Sequence, residues 1–402
     1  MLDIKFVREN LDKVKASLEK REAKVDLDEL LKLDDAKRDV QARVEALRAE
    51  QNKLGREDIE KAKEIKQMLK DIEPQLAEAQ EAYKIAAVNV PNIVLDDVPA
   101  GDASHQEVVK EVGEIKLKEG KDHMELGLHL DLIDIDRAGK VSGSRFYYLK
   151  NELVEMEFAL VRYVLDIVKE EGFQPIIPPV LIKQDMAWGS GHFEAINDDA
   201  YNTAQDDLVL VGTSEQSILP YFAGETLAST PQRFVGYSTC FRREAGSYGK
   251  DVKGILRVHQ FEKMEMFSFC SPEESEKEHE LIVSLEEKIM QGLELPYQVI
   301  KLAAGDLGLP SAKTYDIETW LPGQKQYRET HSSSNCTDFQ ARRLQIRYKN
   351  GDKTEFVHTL NGTAVAIGRI IIAILENYQQ PDGSVKIPEV LHKYLNFKEI
   401  KK

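Results

Sequence analysis

Along the first ninety residues the apolar positions step by threes and fours. One series runs Leu30, Leu33, Val40, Val44, Leu47, Leu54, with Lys37 and Gln51 in the same register, and a second runs Ile65, Leu69, Ile72, Leu76, Ala79, Tyr83, Ala86, Val90. This spacing draws one apolar seam along each of two helices, and Gly55-Arg56-Glu57-Asp58 between them marks a reversal. The pattern predicts an antiparallel coiled-coil hairpin whose arms each reach on the order of 40 Å, too long and thin to enclose a core of their own. Pro74 falls inside the second arm, where a missing N–H predicts either a kink or the start of a new helix.

The helical period stops at Pro91-Asn-Ile-Val-Leu-Asp-Asp-Val-Pro99-Ala-Gly101, which reads as a connection between domains. A boundary near residue 104 divides the chain into 1–104, the helical arm, and 105–402. Beyond it the pattern mixes a long helix over Asn151–Glu171 with strand-like segments at Arg233–Glu244, Ile255–Phe269, Gln298–Leu302, Lys313–Trp320 and Leu344–Tyr348. The expected class of this second part is α+β.

Composition narrows the picture. Of 402 residues 42% are hydrophobic and 31% charged, ordinary for a soluble globular chain with one strongly charged helical section. The first residues lack a signal-peptide core, and the longest aliphatic run, Ile370–Leu375, is far short of the roughly 20 residues of a membrane span. Three cysteines without metal or disulfide spacing fit a reducing compartment, so the expectation is a cytoplasmic protein with no membrane partner. Net charge is −16, yet residues 1–70 hold 18 Lys and Arg against 17 Asp and Glu. That section carries +1 and the remainder −17, so a polyanion should prefer the arm.

Candidate chemistry lies in the second part. No Walker-type phosphate loop or G-x-G-x-x-G turn occurs, so any nucleotide site must use another design. If Arg233–Glu244 and Ile255–Phe269 are strands, alternation puts Arg242 and Glu244 on one face of the first, and Arg257, Phe261 and Glu265 on one face of the second. The loop Ala245–Gly254 joins them. A cation for phosphate, a ring for a base and an acid for an amine suit a nucleotide; a salt-bridged hairpin around a core phenylalanine is the plainer alternative. In Glu329-Thr-His-Ser332 a carboxylate and a hydroxyl stand three residues apart, oxygen ligands that Mg²⁺ accepts beside phosphates, although a solvated polar turn explains them as simply. Arg369 stands alone in an aliphatic helix, where it needs an anion: a bound phosphate, or a neighbouring glutamate. His259 and His331 have no triad or metal spacing around them, and His259 reads as structural.

These segments resemble the class II aminoacyl-tRNA synthetases. Gly172-Phe…Ile177-Pro-Pro179 resembles motif 1, Phe241-Arg-Arg-Glu244 with Arg257-Val-His-Gln-Phe261 motif 2, and Asn361-Gly-Thr…Gly368-Arg369 motif 3, in the right order. Phe241-Arg-Arg-Glu-Ala-Gly-Ser, Lys313-Thr-Tyr-Asp-Ile-Glu318, Asn335-Cys-Thr-Asp-Phe-Gln-Ala-Arg-Arg343 and Phe356-Val-His-Thr-Leu-Asn-Gly362 are similar to the seryl-tRNA synthetases in particular, and the likeness covers nearly the whole chain. It implies an antiparallel sheet core flanked by helices and an arm that meets tRNA(Ser), with tRNA(Sec) left open as a second substrate. It also implies ATP as substrate, Mg²⁺ and a homodimer built on motif 1. Serine would be held by Thr213, Ser214 and Glu215, by Glu265 and Thr363 at its amine and hydroxyl, and by Asn361. The resemblance assigns ATP to Arg242, Arg243, Glu244, Arg257, Phe261, Glu329, Thr330, His331, Ser332 and Arg369, with Arg242 and Arg369 catalytic and Glu329 and Ser332 on the metal.

The chain departs from that family's pattern in places. It reads Thr213-Ser-Glu215 where Thr-Ala-Glu is usual, and Glu329-Thr-His-Ser-Ser-Ser334 where Glu-Ile-Ser-Ser-Cys-Ser is usual; the hairpin is also shorter than is common in bacterial relatives. Two competitors are a ligase of the same fold that loads a carrier protein, and an inactive paralogue that binds partners through its coiled coil. The arm speaks against the first. Arg242, Glu244, Glu265, Glu329 and Arg369, all present, speak against the second.

Overall fold

The computed structural model describes residues 2–55, 58–191, 199–245 and 254–402. Two short helices, α1 (Ile4–Glu9) and α2 (Leu11–Lys20), precede a hairpin of α3 (Leu27–Gln51) and α4 (Ile59–Val88). Asp26 caps α3 by accepting from the Glu29 N–H. The expected reversal lies at these helix ends, with Arg56 and Glu57 outside the described residues. Pro74 sits inside α4 without ending it, so a new helix does not begin there. At roughly 1.5 Å per residue, 25 and 30 helical residues make arms of about 38 and 45 Å.

The seam is not continuous. Its outer part packs Val44, Ile65, Leu69 and Ile72 together, whereas its inner part joins Leu27, Leu30 and Ala87 to Leu2, Val7, Val14 and Leu18, and to Phe339 of the second domain. Between the two lies a polar node. Asp34, 1% exposed, pairs with Lys37 and Arg8, and the Lys37 ammonium stands 3.4 Å from the Tyr83 ring centroid. Burial would raise the Asp34 carboxyl, but Lys37 and Arg8 outweigh it and hold the pKa below the usual range.

The connection after α4 is stitched down. Asn92 Nδ2 donates to Pro310 O and Cys336 O, each at 2.8 Å, and to Thr337 Oγ1 at 2.9 Å; the Arg21 guanidinium donates to Asn92 O, Leu307 O and Ser311 O.

Among the described residues eight strands then build one sheet. In chain order they are β1 (Glu107–Val112), β2 (Gln174–Ile176), β3 (Gln232–Phe241), β4 (Gln260–Cys270), β5 (Tyr297–Lys301), β6 (Lys313–Leu321), β7 (Gln326–Asn335) and β8 (His358–Ala366). Across the sheet they lie β1-β5-β6-β7-β8-β4-β3-β2, antiparallel except for β2 against β3. Helices α5 (Glu152–Val168), α6 (Ser275–Gly292) and α7 (Ile367–Asn377) cover one face. Their apolar stripes meet Met264, Met266, Leu360, Ala364 and Val365, the main core. Phe267 and Phe269, from the other face of β4, form a second core with Phe234, Ile218 and Leu219.

The expected strands need three corrections. β3 ends at Phe241 and β4 begins at Gln260, so Arg242, Glu244 and Arg257 are not strand residues and alternation does not set their direction. Glu244 has φ +54°, a left-handed turn conformation that no strand pattern predicts. Leu344 ends a helix, Phe339–Leu344, and the strand that follows is Arg347–Asn350.

Candidate active site

The face of the sheet opposite α5 and α7 floors a cavity of about 330 Å³, a size suited to a small-molecule substrate. Phe261, Lys263 and Glu265 rise from β4, Asn361 and Thr363 from β8, and Glu329, Ser332 and Ser334 from β7. Regular alternation explains the β4 set. On β8 the pairing skips Ala364, since Met264 lies opposite Val365 and Glu265 opposite Thr363. That irregularity keeps Thr363 on the cavity face while both Ala364 and Val365 enter the core. Gly212, Thr213, Glu215 and Gln216 form one wall; Ile255, Leu256, Arg257 and Val258 form another.

At one end the cavity is an acid-lined pocket. Glu265 is 2% exposed; burial raises its carboxyl, and the Lys263 ammonium, ion-paired with Oε2, draws it part of the way back. Thr363 Oγ1 donates to the same oxygen at 3.5 Å. Glu215 Oε1 accepts from Gln340 Nε2 at 2.7 Å, and Asn361 Nδ2 lies 3.9 Å from Cys336 Sγ. Two carboxylates, a hydroxyl and an amide can hold a small polar ammonium compound.

Arginines fill the other end. The Arg242 guanidinium lies 5.3 Å from the Phe261 ring centroid and its Nε donates to Gly212 O at 3.1 Å. Arg257 Nη1 pairs with Glu244 Oε2 at 2.7 Å, and Arg369 Nη1 with Glu329 Oε1 at 2.9 Å. Of the two anions considered for Arg369, the glutamate is thus in contact. Desolvation in the cleft would raise the Glu329 carboxyl, but Arg369 outweighs it and the pKa falls below the usual range. Asp316, which faces Ser332 across β6 and β7, is pushed up to about 8 by burial and by Glu329.

For a magnesium ion, Glu329 and Ser332 offer hard oxygen ligands at the cavity mouth, the donor type the ion requires. Among the described residues no cluster of three or more His, Cys, Asp or Glu could hold a metal alone, so the fit is to an ion that shares phosphate oxygens.

Most of the expected site residues line this cavity: Thr213, Glu215, Arg242, Glu244, Arg257, Phe261, Glu265, Glu329, Thr330, Ser332, Asn361, Thr363 and Arg369. Three do not. Ser214 is fully buried with its hydroxyl on Gly236 O, Arg243 is exposed outside the cavity, and His331 points to the helix-covered side with no exposure. Burial lowers the His331 pKa to about 3, which keeps it neutral. Thr330 lines the cavity but spends its hydroxyl on Thr319, at 2.7 Å. His259 bonds Arg242 O through Nδ1 and packs on Phe146, as a structural histidine should. Of the loop expected over Ala245–Gly254, residues 246–253 lie outside those described. Lys263 and Gln340 were missed. Lys263 shares the alternation that singled out Phe261 and Glu265; Gln340 carries no local signal, because tertiary packing brings it to Glu215.

Comparison with known proteins covers the whole chain. Residues 1–94 match the seryl-tRNA synthetase N-terminal domain, and residues 197–378 the tRNA synthetase class II core domain (G, H, P, S and T). The serine–tRNA ligase of Mycolicibacterium vanbaalenii is 44% identical over 411 residues, 98% of each chain, and that of Acidothermus cellulolyticus is equally similar over the same span. Among solved structures, seryl-tRNA synthetase from Pyrococcus horikoshii complexed with ATP superposes with a TM-score of 0.89 at 41% identity, over 100% of this chain and 99% of that one. The cytoplasmic serine–tRNA ligase from Naegleria fowleri in complex with AMP gives 0.87 at 31% identity, with the same coverage.

Proposed function

Because the chain belongs to the seryl-tRNA synthetase family of tRNA ligases, we propose that it activates serine with ATP to seryl-adenylate and passes the seryl group to the 3′ end of tRNA(Ser). The observation that carries this reading is one cavity with an acid-and-hydroxyl pocket at one end and three arginines with a ring at the other. Serine binds at Thr213, Glu215, Glu265, Asn361 and Thr363. Adenine lies on Phe261 beside Glu244, Arg242 takes the α-phosphate, and Arg257 and Arg369 take the γ-phosphate.

The chemistry is positioning and charge neutralisation. Serine's carboxylate oxygen attacks the α-phosphorus in line, pyrophosphate departs, and the terminal tRNA hydroxyl then attacks the seryl carbonyl and releases AMP. No protein nucleophile is needed. Arg257 and Arg369 are prepaired with Glu244 and Glu329, so triphosphate binding exchanges one anionic partner for another. Mg²⁺ held by Glu329, Ser332 and ATP would neutralise phosphate charge and help align the leaving group.

Further parts of the proposal concern partners. The arm meets tRNA(Ser), with residues 1–104 as the tRNA-binding part and 105–402 as the catalytic part. The resemblance to motif 1 supports a second copy of the chain against α5 and the turn after β2. Val154 and Phe158 on α5 and Ile177 after β2 are exposed, Ile177 by 81%, apolar side chains that an isologous partner could cover. A cytoplasmic setting goes with this role, and no described helix is long and apolar enough to cross a membrane.

The test is ATP–pyrophosphate exchange with each of the twenty amino acids, followed by charging of tRNA(Ser) and tRNA(Sec). Serine alone should support rapid exchange, since alanine leaves buried hydroxyl partners unpaired and such sites discriminate by roughly 10⁴-fold. Equal exchange with alanine defeats the reading of the pocket. Exchange without charging of either tRNA would favour the carrier-protein alternative.

A further inference from the structure

Glu215 opens a single helical turn, Glu215–Ile218, at 3% exposure. So short an element does little to fix the direction of a buried carboxylate. A side chain 125 residues away aims it. Gln340, from the helix Phe339–Leu344, is fully buried; its Nε2 donates to Glu215 Oε1 at 2.7 Å and to Ser190 O at 2.9 Å, and its Oε1 accepts from Thr359 Oγ1 at 2.7 Å. Acceptors on one side and a hydroxyl donor on the other permit one orientation of the amide. Thr359 lies on β8, two residues before Asn361 and four before Thr363, so a single amide ties Glu215 to the strand carrying the rest of the pocket. The residue type is restrictive. Methionine fills the same volume without a donor, and a second carboxylate repels the first at neutral pH.

We propose that Gln340 is the positioning residue of the serine pocket, fixing the Glu215 carboxylate in the direction that receives the amino acid. This rests on the reading of Glu215 as a serine contact. Gln340 touches no substrate. Its effect is on amino-acid binding, and the phosphate end of the cavity is untouched.

Gln340→Met in the full-length enzyme, assayed by ATP–pyrophosphate exchange, should raise the KM for serine about tenfold or more and leave the KM for ATP within twofold. Gln340→Glu gives a signature that packing alone cannot produce. Below about pH 6 its protonated carboxyl can donate to Glu215 as the amide does; towards about pH 8 both groups ionise, and the KM for serine should climb with pH while that of the parent stays level. If Gln340→Met folds poorly, this second variant decides the matter. Either a serine KM within twofold of the parent in a folded Gln340→Met, equal rises for serine and ATP, or a Gln340→Glu pH profile identical to the parent's overturns the proposal. Glu215→Gln separates the two levels. An unchanged serine KM in that variant removes Glu215 from the pocket, whereas a raised one, combined with silent Gln340 variants, removes only the role of Gln340.

Discussion

Glu262 and Glu286 are acids on the side of the sheet away from the cavity, and burial favours the protonated form of both. Burial first, and then the nearby Glu157, pushes the Glu262 carboxyl up to about 7; burial raises Glu286 well above the usual range, and neither of its carboxyl oxygens has a hydrogen-bond partner among the described residues. Since the fold prefers the protonated form, the stability tied to Glu262 is complete below the unfolded pKa near 4.3 and is lost as pH rises from there through about 7. Glu262→Gln should therefore melt higher than the parent at pH 8 and with it at pH 4, as read by calorimetry across that range. A melting temperature that shifts equally at both pH values would show that Glu262 titrates normally. A second residue-scale prediction separates a residue that lines the cavity from a buried one that does not. Arg369→Ala should lower exchange by about 100-fold or more, as expected for a lost transition-state charge partner. Ser214→Ala, losing only a bond to Gly236 O, should cost about 1 kcal/mol of stability and leave the serine KM within twofold.

At the scale of elements, the hairpin is divided by its polar node. Inward of Asp34, Lys37 and Tyr83 it shares a core with α1, α2 and Phe339; outward, among the described residues, its core is made by the hairpin alone. Excision of the whole hairpin, residues 28–88, would therefore open the inner core by removing Leu30 and Ala87. Removing residues 39–79 across a short flexible linker spares that core. This truncation should keep serine-dependent exchange near the parent rate while the KM for tRNA rises steeply, because the removed part carries Arg43, Arg48, Lys53, Arg56 and Lys63. Charging that stays equal to the parent's would show that the outer arm does not meet tRNA; loss of exchange from a folded truncation would show that it supports catalysis.

For the whole molecule, Val154 and Phe158, one helical turn apart on α5, and Ile177 just beyond β2 are exposed apolar side chains of the kind a subunit interface covers. A mass of two chains by light scattering at micromolar concentration is the expected result, and Phe158→Asp should shift it towards one chain. A fully active parent monomer would refute the dimer. How much of this molecule could be read from its sequence differs by region. The seams on α3 and α4 have a period that forces each apolar stripe to one side, so the hairpin was legible, whereas its polar interruption depends on Arg8 reaching across from another helix. In the site, Phe261, Glu265, Asn361 and Thr363 follow from strands and from strings resembling a known family. Arg242, Glu244 and Arg257 line the cavity, although the alternation first used for them does not apply beyond Phe241.

Sequence alone determined what local periodicity and local chemistry can determine: a helical hairpin, a mixed second part, and residue types suited to an amino acid and a nucleotide. Side-chain direction outside regular elements was beyond it, because a turn such as Glu244 at φ +54° has no repeating pattern. Ser214, between two cavity residues and outside any strand, faces the interior, whereas His331 faces it through the alternation of β7, opposite to Ser332 and Ser334. Only the tertiary structure decided that Glu215 is aimed by Gln340 and that Arg257 and Arg369 are each matched to a glutamate. Those pairings join segments from 13 to 125 positions apart, a separation over which packing, and no local signal, sets the distance.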